Sequence, residues 1–179
     1  SGDANNNSFS GSQYADIING QAGNDTIYGQ GGNDTINGGA DNDLVYGNDG
    51  QDSLTGSSGN DSIYGNAYED TITGGTGNDY LSGDDSYDYY ADTFIFNKGD
   101  GQDTIASGNT GNNSGYAGKD TIQFGAGIAI SDIQLLVTGA DANLTISIKG
   151  STDKITIENY FYNNIYYQSI KTLVVGGNA

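Results

Sequence analysis

"GNDTIYGQGGNDTING", Gly23–Gly38, says nearly the same thing twice: Asp25-Thr26-Ile27 returns nine residues later as Asp34-Thr35-Ile36. A fixed step of this kind marks a repeat architecture. Carried outward from Gly2, it cuts the chain into GDANNNSFS, GSQYADIIN, GQAGNDTIY, GQGGNDTIN, GGADNDLVY, GNDGQDSLT, GSSGNDSIY, GNAYEDTIT and GGTGNDYLS, ending at Ser82 without a slip. Position 1 is Gly in every unit. Position 6 is Asp in every unit but the first, which has Asn7. Position 8 is always apolar: Phe9, Ile18, Ile27, Ile36, Val45, Leu54, Ile63, Ile72 and Leu81.

Each unit reads as a six-residue loop followed by a three-residue strand. The Gly-rich positions 1–4 suit a tight turn with positive φ. Positions 7–9 alternate polar, apolar, polar, with one apolar tooth per strand. Strands this short are stable only when neighbours stack in parallel, each coil hydrogen-bonding the next. Two units make one coil, so unit n lies over unit n+2, roughly 4.8 Å away. The position-8 side chains then meet in a thin aliphatic core. The expected fold is all-β: a parallel β-roll followed by a C-terminal β-rich cap.

Stacking sorts the acids into two columns. Asp16, Asp34, Asp52 and Asp70 form one; Asn7, Asp25, Asp43, Asp61 and Asp79 form the other. Carboxylates at that spacing repel, so the roll closes only if a cation neutralises them. Ca²⁺ suits the available donors, since it takes six to eight carboxylate and carbonyl oxygens in flexible geometry. Mg²⁺ demands a small octahedron and keeps its waters, and Zn²⁺ would lack its nitrogen and sulfur ligands. A role as mere turn formers accounts for one or two of the Asp residues, not for a fixed column.

The net charge of −18 is concentrated in the repeat. Residues 1–97 hold 16 acids and no Lys, whereas residues 98–179 hold 7 acids and all 5 Lys. Nucleic acid and anionic membranes, which need a basic patch, are excluded as partners. The chain has no Cys, His, Met, Trp, Pro or Arg, so disulfides and the commonest general base are missing. No stretch reads as a membrane span or a secretory leader, and the ends read as those of a fragment cut from a longer protein.

The tandem pattern GxxGxDxUx, with U a large aliphatic, resembles the RTX (repeats-in-toxin) nonapeptide of haemolysin-type proteins, which forms a calcium β-roll. The resemblance implies that each ion sits between loops n and n+2. Its Asp ligands would be Asp16, Asp25, Asp34, Asp43, Asp52, Asp61, Asp70 and Asp79, helped by the side chains of Asn24, Asn33, Asn42, Asn60 and Asn78. One loop would add the carbonyls of position 1 (Gly20, Gly29, Gly38, Gly47, Gly56, Gly65, Gly74) and position 3 (Ala22, Gly31, Ala40, Asp49, Ser58, Ala67, Thr76) to its position-5 side chain; the other would add those of position 2 and position 4 (Gly23, Gly32, Gly50, Gly59, Gly77) to its position-6 Asp. Pairing n with n+2 gives about seven ions in two columns. Asn7, and Tyr68 beside Glu69 in place of a loop Gly, are expected to weaken their sites.

Beyond Ser82 the theme persists but the step breaks. Asp92-Thr93-Phe94 reads as the next Asp-x-U, delayed by about four residues, and Asp92 joins the expected ligands. Asp84, Asp85 and Asp88 read as an extra or irregular calcium site. Asp103 and Asp120 head further Asp-Thr-Ile triplets, but Lys119 at position 5 argues against an ion there. The expected division is a calcium roll over 1–91, a transition over 92–127 that broadens into ordinary sheet, and a cap over 128–179. Strands are expected near 133–138, 143–149 and 154–158, with a last strand or short helix-strand in "IYYQSIKTLVV" (Ile165–Val175). Residues 120–175 resemble the domain that follows β-rolls in haemolysin-type proteins, which implies a cap over the open end. The aromatic run "NYFYNNIYY" (Asn159–Tyr167) is expected in that cap.

The function expected is a calcium-binding module that folds on Ca²⁺ after type I secretion from a Gram-negative bacterium. It would serve a large extracellular or cell-surface protein such as a toxin, adhesin or exoenzyme. The secretion apparatus is the implied partner and a monomer the expected state. No enzyme is expected, because no nucleophile–base set is visible. The alternative is a glycan-binding module using Tyr28, Tyr46 and Tyr64, which recur at position 9 in steps of 18. An ice-binding face is not expected, since position 3 carries no Thr ladder.

Overall fold

The computed structural model describes residues 1–84, 90–106, 120–138, 143–158 and 170–175. Asp85 and Asp88, Lys119 and the aromatic run Asn159–Tyr167 lie outside the described residues. The chain winds alternately through two sheets. One takes β1 (Ser8–Ser10), β3 (Thr26–Gly31), β5 (Leu44–Asp49), β7 (Ser62–Ala67), β9 (Tyr80–Asp84) and β11 (Gln102–Ile105). The other takes β2 (Ile17–Ala22), β4 (Thr35–Ala40), β6 (Ser53–Ser58), β8 (Thr71–Thr76), β10 (Thr93–Phe96) and β12 (Asp120–Phe124). All of these neighbours pair in parallel.

The register is that of the repeat: Ile27 pairs with Val45, Val45 with Ile63, and Ile36 with Leu54. From Ile27 to Leu81 every position-8 side chain is at most 2% exposed, and together they form the core. Each coil of two units thus contributes only two apolar side chains. The strands are longer than the side-chain pattern suggests. Most run six residues, from position 7 through position 3 of the next unit, leaving positions 4–6 as the turn. A ladder is built from backbone groups, so glycines and polar residues extend it without an apolar tooth.

The Gly positions divide into two kinds. From the third unit on, position 4 has positive φ, at Gly23, Gly32, Gly50, Gly59 and Gly77 but also at Asp41 and Tyr68. Position 2 has positive φ as well, and there Gln21, Gln30, Asn48, Ser57 and Asn66 accept it. Position 1 needs Gly for space, because a Cβ there would strike the position-6 side chain of its own unit, and not for its φ.

β10, β11 and β12 do not broaden into ordinary sheet: they continue the parallel winding and place Phe94, Ile105 and Ile122 in the core on the position-8 rows. Beyond them the first sheet ends in an antiparallel meander: β13 (Ile133–Thr138), β14 (Asn143–Ile148) and β15 (Lys154–Ile157), with β15 parallel to β11. β16 (Ile170–Val175) closes the second sheet against β12. Leu144, Ile146, Ile148, Ile155 and Ile157 carry the core to this end.

Ile63 is fully buried in the middle coil. Ile63→Ala should destabilise the folded chain by about 2–5 kcal/mol, the usual range for such a truncation. Chemical denaturation of the folded protein measures it directly.

Candidate metal centres

The two columns of position-6 side chains form as the pairing requires. In each, the Asp Oδ1 accepts the backbone N–H of the position-6 residue one coil earlier. One column runs Asn7, Asp25, Asp43, Asp61, Asp79, with N···O distances of 2.7–2.8 Å. The other runs Asp16, Asp34, Asp52, Asp70 over the same distances. Both continue past the nonapeptides, from Asp70 to Asp92 (2.8 Å), Asp79 to Asp103 (3.1 Å) and Asp92 to Asp120 (3.0 Å). Asp103 and Asp120 were not among the expected ligands, although their Asp-Thr-Ile triplets mark them as column members.

The second oxygen has no such partner. Oδ2 of Asp25, Asp34, Asp43, Asp52, Asp61 and Asp79 is buried with no hydrogen bond. A buried carboxylate oxygen without a donor is costly, and a like charge one coil away adds repulsion. Burial accordingly pushes the Asp43, Asp52 and Asp79 carboxyls up to about 6 and Asp61 to about 7, against the opposing pull of the backbone N–H bonds. Asp34 is also raised, mainly by burial. Residues 1–97 contain no Lys that could pair with them.

Oδ2 points at the position-1 Gly of its own unit. A Cβ on Gly56 would collide with Asp61 Oδ2 and with the Gly74 carbonyl oxygen of the next coil. Gly20, Gly29 and Gly47 repeat this with Asp25 and Gly38, Asp34 and Gly47, and Asp52 and Gly65. A carboxylate oxygen and a carbonyl oxygen from the adjacent coil therefore converge beside each position-1 Gly. Among the described residues no three carboxylates are grouped to hold an ion by themselves. One carboxylate with backbone carbonyls is a hard-oxygen donor set that fits Ca²⁺.

The other expected ligands fall into place less simply. Asn24 Oδ1 accepts the Asn42 N–H at 3.0 Å, Asn42 that of Asn60 at 2.6 Å, and Asn60 that of Asn78 at 2.8 Å. Asn33 and Asn78 accept from Gln51 and Gln102. These oxygens form a ladder of their own. At position 3, the Ala67 and Thr76 carbonyls accept from Gly50 and Gly59, each keeping a second lone pair. Ala22, Gly31, Ala40, Asp49 and Ser58 lie in the same strand register. In the first coil the side chains turn into their own loops: Asn7 Oδ1 accepts from Asp3 N–H, and Asp16 Oδ2 from Ser12 N–H and Oγ. Tyr68, at φ +79°, stacks on Tyr90 at 5.0 Å, while Gln51 donates to Glu69.

On the outer face of the first sheet, Tyr28, Tyr46 and Tyr64 stack with centroids 5.1 and 5.0 Å apart and planes 3° and 14° from parallel. Inner rings of such a stack turn their faces to each other, so they offer a sugar no open platform. A hydroxyl row absent from position 3 does exist at position 7 of the second sheet, as Thr35, Ser53, Thr71, Thr93 and Thr121. The row beside it mixes Asn37, Thr55, Thr73, Ile95 and Gln123, so the two make no regular lattice.

Fold and site together define a parallel β-roll whose stacked loops present hard oxygen donors suited to calcium. The family model of the RTX calcium-binding nonapeptide repeat matches in four copies, over residues 1–36, 20–54, 29–63 and 55–90. The chain belongs to that family and is a calcium-binding repeat module. Residues 143–173 match the haemolysin-type calcium binding protein related domain. Among curated proteins, none matches the chain. A solved structure similar to it is the extracellular lipase LipA from Serratia marcescens, at 16% identity and a TM-score of 0.43. The match covers 98% of this chain and 39% of the lipase chain.

Gly56→Ala puts a methyl group where Asp61 Oδ2 and the Gly74 carbonyl converge. Calcium binding measured by titration calorimetry should lose one site or weaken it at least tenfold. Gln30→Ala, on a strand at an exposed position, should leave calcium binding unchanged.

Proposed function

We propose that this chain is the calcium-triggered folding module of a larger secreted bacterial protein, released by a type I apparatus and folded outside the cell. The observation that supports this most directly is the set of buried Asp Oδ2 atoms left without a donor in both columns. The position-6 Asp residues, Asp16 through Asp79 and then Asp92, supply the carboxylates. The position-1 carbonyls of the adjacent coil supply a second oxygen. Seven column steps join the nine units, giving about seven ions.

Extracellular calcium modules bind with Kd of about 10⁻⁴–10⁻³ M. At tenfold excess over Kd each site contributes about 1.4 kcal/mol, and seven contribute about 10 kcal/mol. That equals the net stability of an ordinary domain. Calcium then decides whether the module is folded. In a low-calcium cytosol the acidic repeat repels itself and stays open for export. The lack of Cys and Pro suits rapid refolding, since neither disulfide exchange nor proline isomerisation delays it. The module carries no chemistry of its own on this reading; any catalytic, toxic or adhesive activity belongs to the rest of the parent protein. The working division is a roll from residue 1 through β12 and a terminal β unit after it.

Circular dichroism with a calcium titration tests the mechanism. The expected result is coil in EGTA and strand in Ca²⁺, cooperatively, with little response to Mg²⁺. Equal strand content in EGTA would overturn it. Asp52→Ala should weaken two adjacent sites together. Its Oδ1 bonds the Asp34 loop at 2.7 Å, and its Oδ2 lies toward the Gly65 carbonyl of the next coil. Calorimetry should count the loss.

A further inference from the structure

The first sheet has nine strands and the second seven. Each coil gives one strand to each sheet, and β15 and β16 are the last pair formed in this way. β14 and β13 carry the first sheet past that pair, with no counterpart in the second sheet among the described residues. This end of the molecule is therefore stepped: one sheet projects by two strands, roughly 10 Å, and the other stops short. The projection is fastened to the roll. Asp153 Oδ2, in the turn between β14 and β15, accepts the Gly99 N–H at 2.8 Å. Asp100 Oδ2 accepts the Asn97 N–H at 2.6 Å in the same roll loop. At the start of β13, the Lys149 N–H donates to the Asp132 carbonyl at 2.8 Å.

The apolar side chains of the step are uncovered. β13 pairs with β14 so that Leu135 and Val137 stand beside Ile146 and Leu144 on the core face. Ile146 and Leu144 are buried, yet Leu135 and Val137 are 58% and 57% exposed. Leu173 on β16 pairs with the core residue Ile122 and is still 38% exposed. On the outer faces of the same two strands, Leu136 is 59% and Val174 41% exposed. β13 and β16 are the end strands of their sheets, so neither has a ladder partner on its outer edge among the described residues. Edges of this kind are usually blunted by charge, Pro or a bulge. β13 has no charged residue, Gly or Pro.

A step of this shape is complementary to itself. A second copy, turned about a twofold axis along the strands, brings its projecting β13 and β14 opposite those of the first. Winding makes β13 and β16 run in opposite directions in their separate sheets, and the twofold sets β13 of each copy beside β16 of the other, antiparallel. Leu135 and Val137 then join Leu173 of the second copy in one continuous core, and Leu136 meets Val174 on the outer face. Closed twofold contacts of this type are the commonest in soluble assemblies. Charge favours the same end. Residues 128–179 hold four acids and three Lys, whereas residues 1–127 hold 19 acids and two Lys, so a second acidic copy meets least repulsion here.

We infer that two copies of this chain associate end to end through this step, with β13 of each pairing with β16 of the other. The single chain expected from the sequence is then half of the folded unit. The inference concerns the folded end alone and does not depend on which cation fills the columns.

Sedimentation equilibrium of the full chain in calcium, at micromolar concentration, tests it. The expected mass is twice the 18.5 kDa of the chain. Leu136→Lys and Val174→Lys each place a charge on an exposed outer-face side chain, which the folded single chain tolerates. Each should return the mass to that of one chain, with circular dichroism unchanged. The chain has no Cys, so introduced thiols report the pairing cleanly. Leu136→Cys combined with Val174→Cys should be linked into dimers by a short bis-maleimide, and Leu136→Cys alone should not. If one Lys variant loses its strand signal, the other and the cross-link carry the test. A folded parent of single-chain mass, a dimer that survives both Lys variants, or cross-linking of Leu136→Cys alone would overturn the inference. A parent that folds without calcium should dimerise in EGTA as well, which separates this outcome from failure of the calcium mechanism.

Discussion

Everything in this fold hangs on a carboxylate that faces two ways. Its Oδ1 holds the coil beneath through a backbone N–H, and its Oδ2 is turned into the interval above with no donor to meet it. The first contact fixes where each Asp lies, so the second cannot be avoided by rotating the side chain away. Two unit charges about 5 Å apart repel by about 3 kcal/mol at an effective dielectric of about 20. Several such steps in each column exceed the net stability of a domain, about 5–15 kcal/mol. The repeat therefore specifies, through the same residue, its fold and the hard oxygen donors that suit calcium. The position-1 Gly belongs to this arrangement, because any side chain there would occupy the ground where the oxygens converge.

Much of this was legible in the sequence because it is periodic. The step of nine, with one apolar tooth and one acid per unit, led to the pairing of n with n+2, the two columns and the core row from Ile27 to Leu81. What the pattern concealed has physical causes. Strand length was underestimated because hydropathy reports side chains, whereas Gly29-Gln30-Gly31 extends its strand through backbone bonds. The Gly roles were merged because composition does not separate a positive φ at Gly32 from a space requirement at Gly29.

The irregular coils hide the columns in a different way. Asp70, Asp92 and Asp120 stand in one column although their spacing grows from 18 to 22 and then 28 residues. Extra residues between two strands lengthen the connection in sequence without disturbing the ladder, so periodicity fails where geometry does not. The local triplets Asp103-Thr104-Ile105 and Asp120-Thr121-Ile122 survive the insertions and give the members away. Asp100 and Asp153 leave no such trace. Asp153 reaches the Gly99 N–H across 54 residues only because β15 pairs with β11, a contact no local pattern encodes.

The two ends of the roll treat their acids differently, and that difference bears on how the stack is held. In the first coil Asn7 and Asp16 satisfy their oxygens within their own loops, through Asp3 and Ser12. At the other end the first sheet changes from parallel winding to an antiparallel meander, while acids accumulate at the change. A solenoid coil is stabilised chiefly by its neighbours. With two apolar side chains per coil, the hydrophobic contribution of each neighbour is small, and the ionic contribution weighs correspondingly more. The larger cluster of Leu144, Ile146, Ile155 and Ile157 reverses that balance at the meander. This end therefore offers the calcium-binding coils a surface ordered by apolar packing, so the stack has one neighbour that does not rely on its carboxylates.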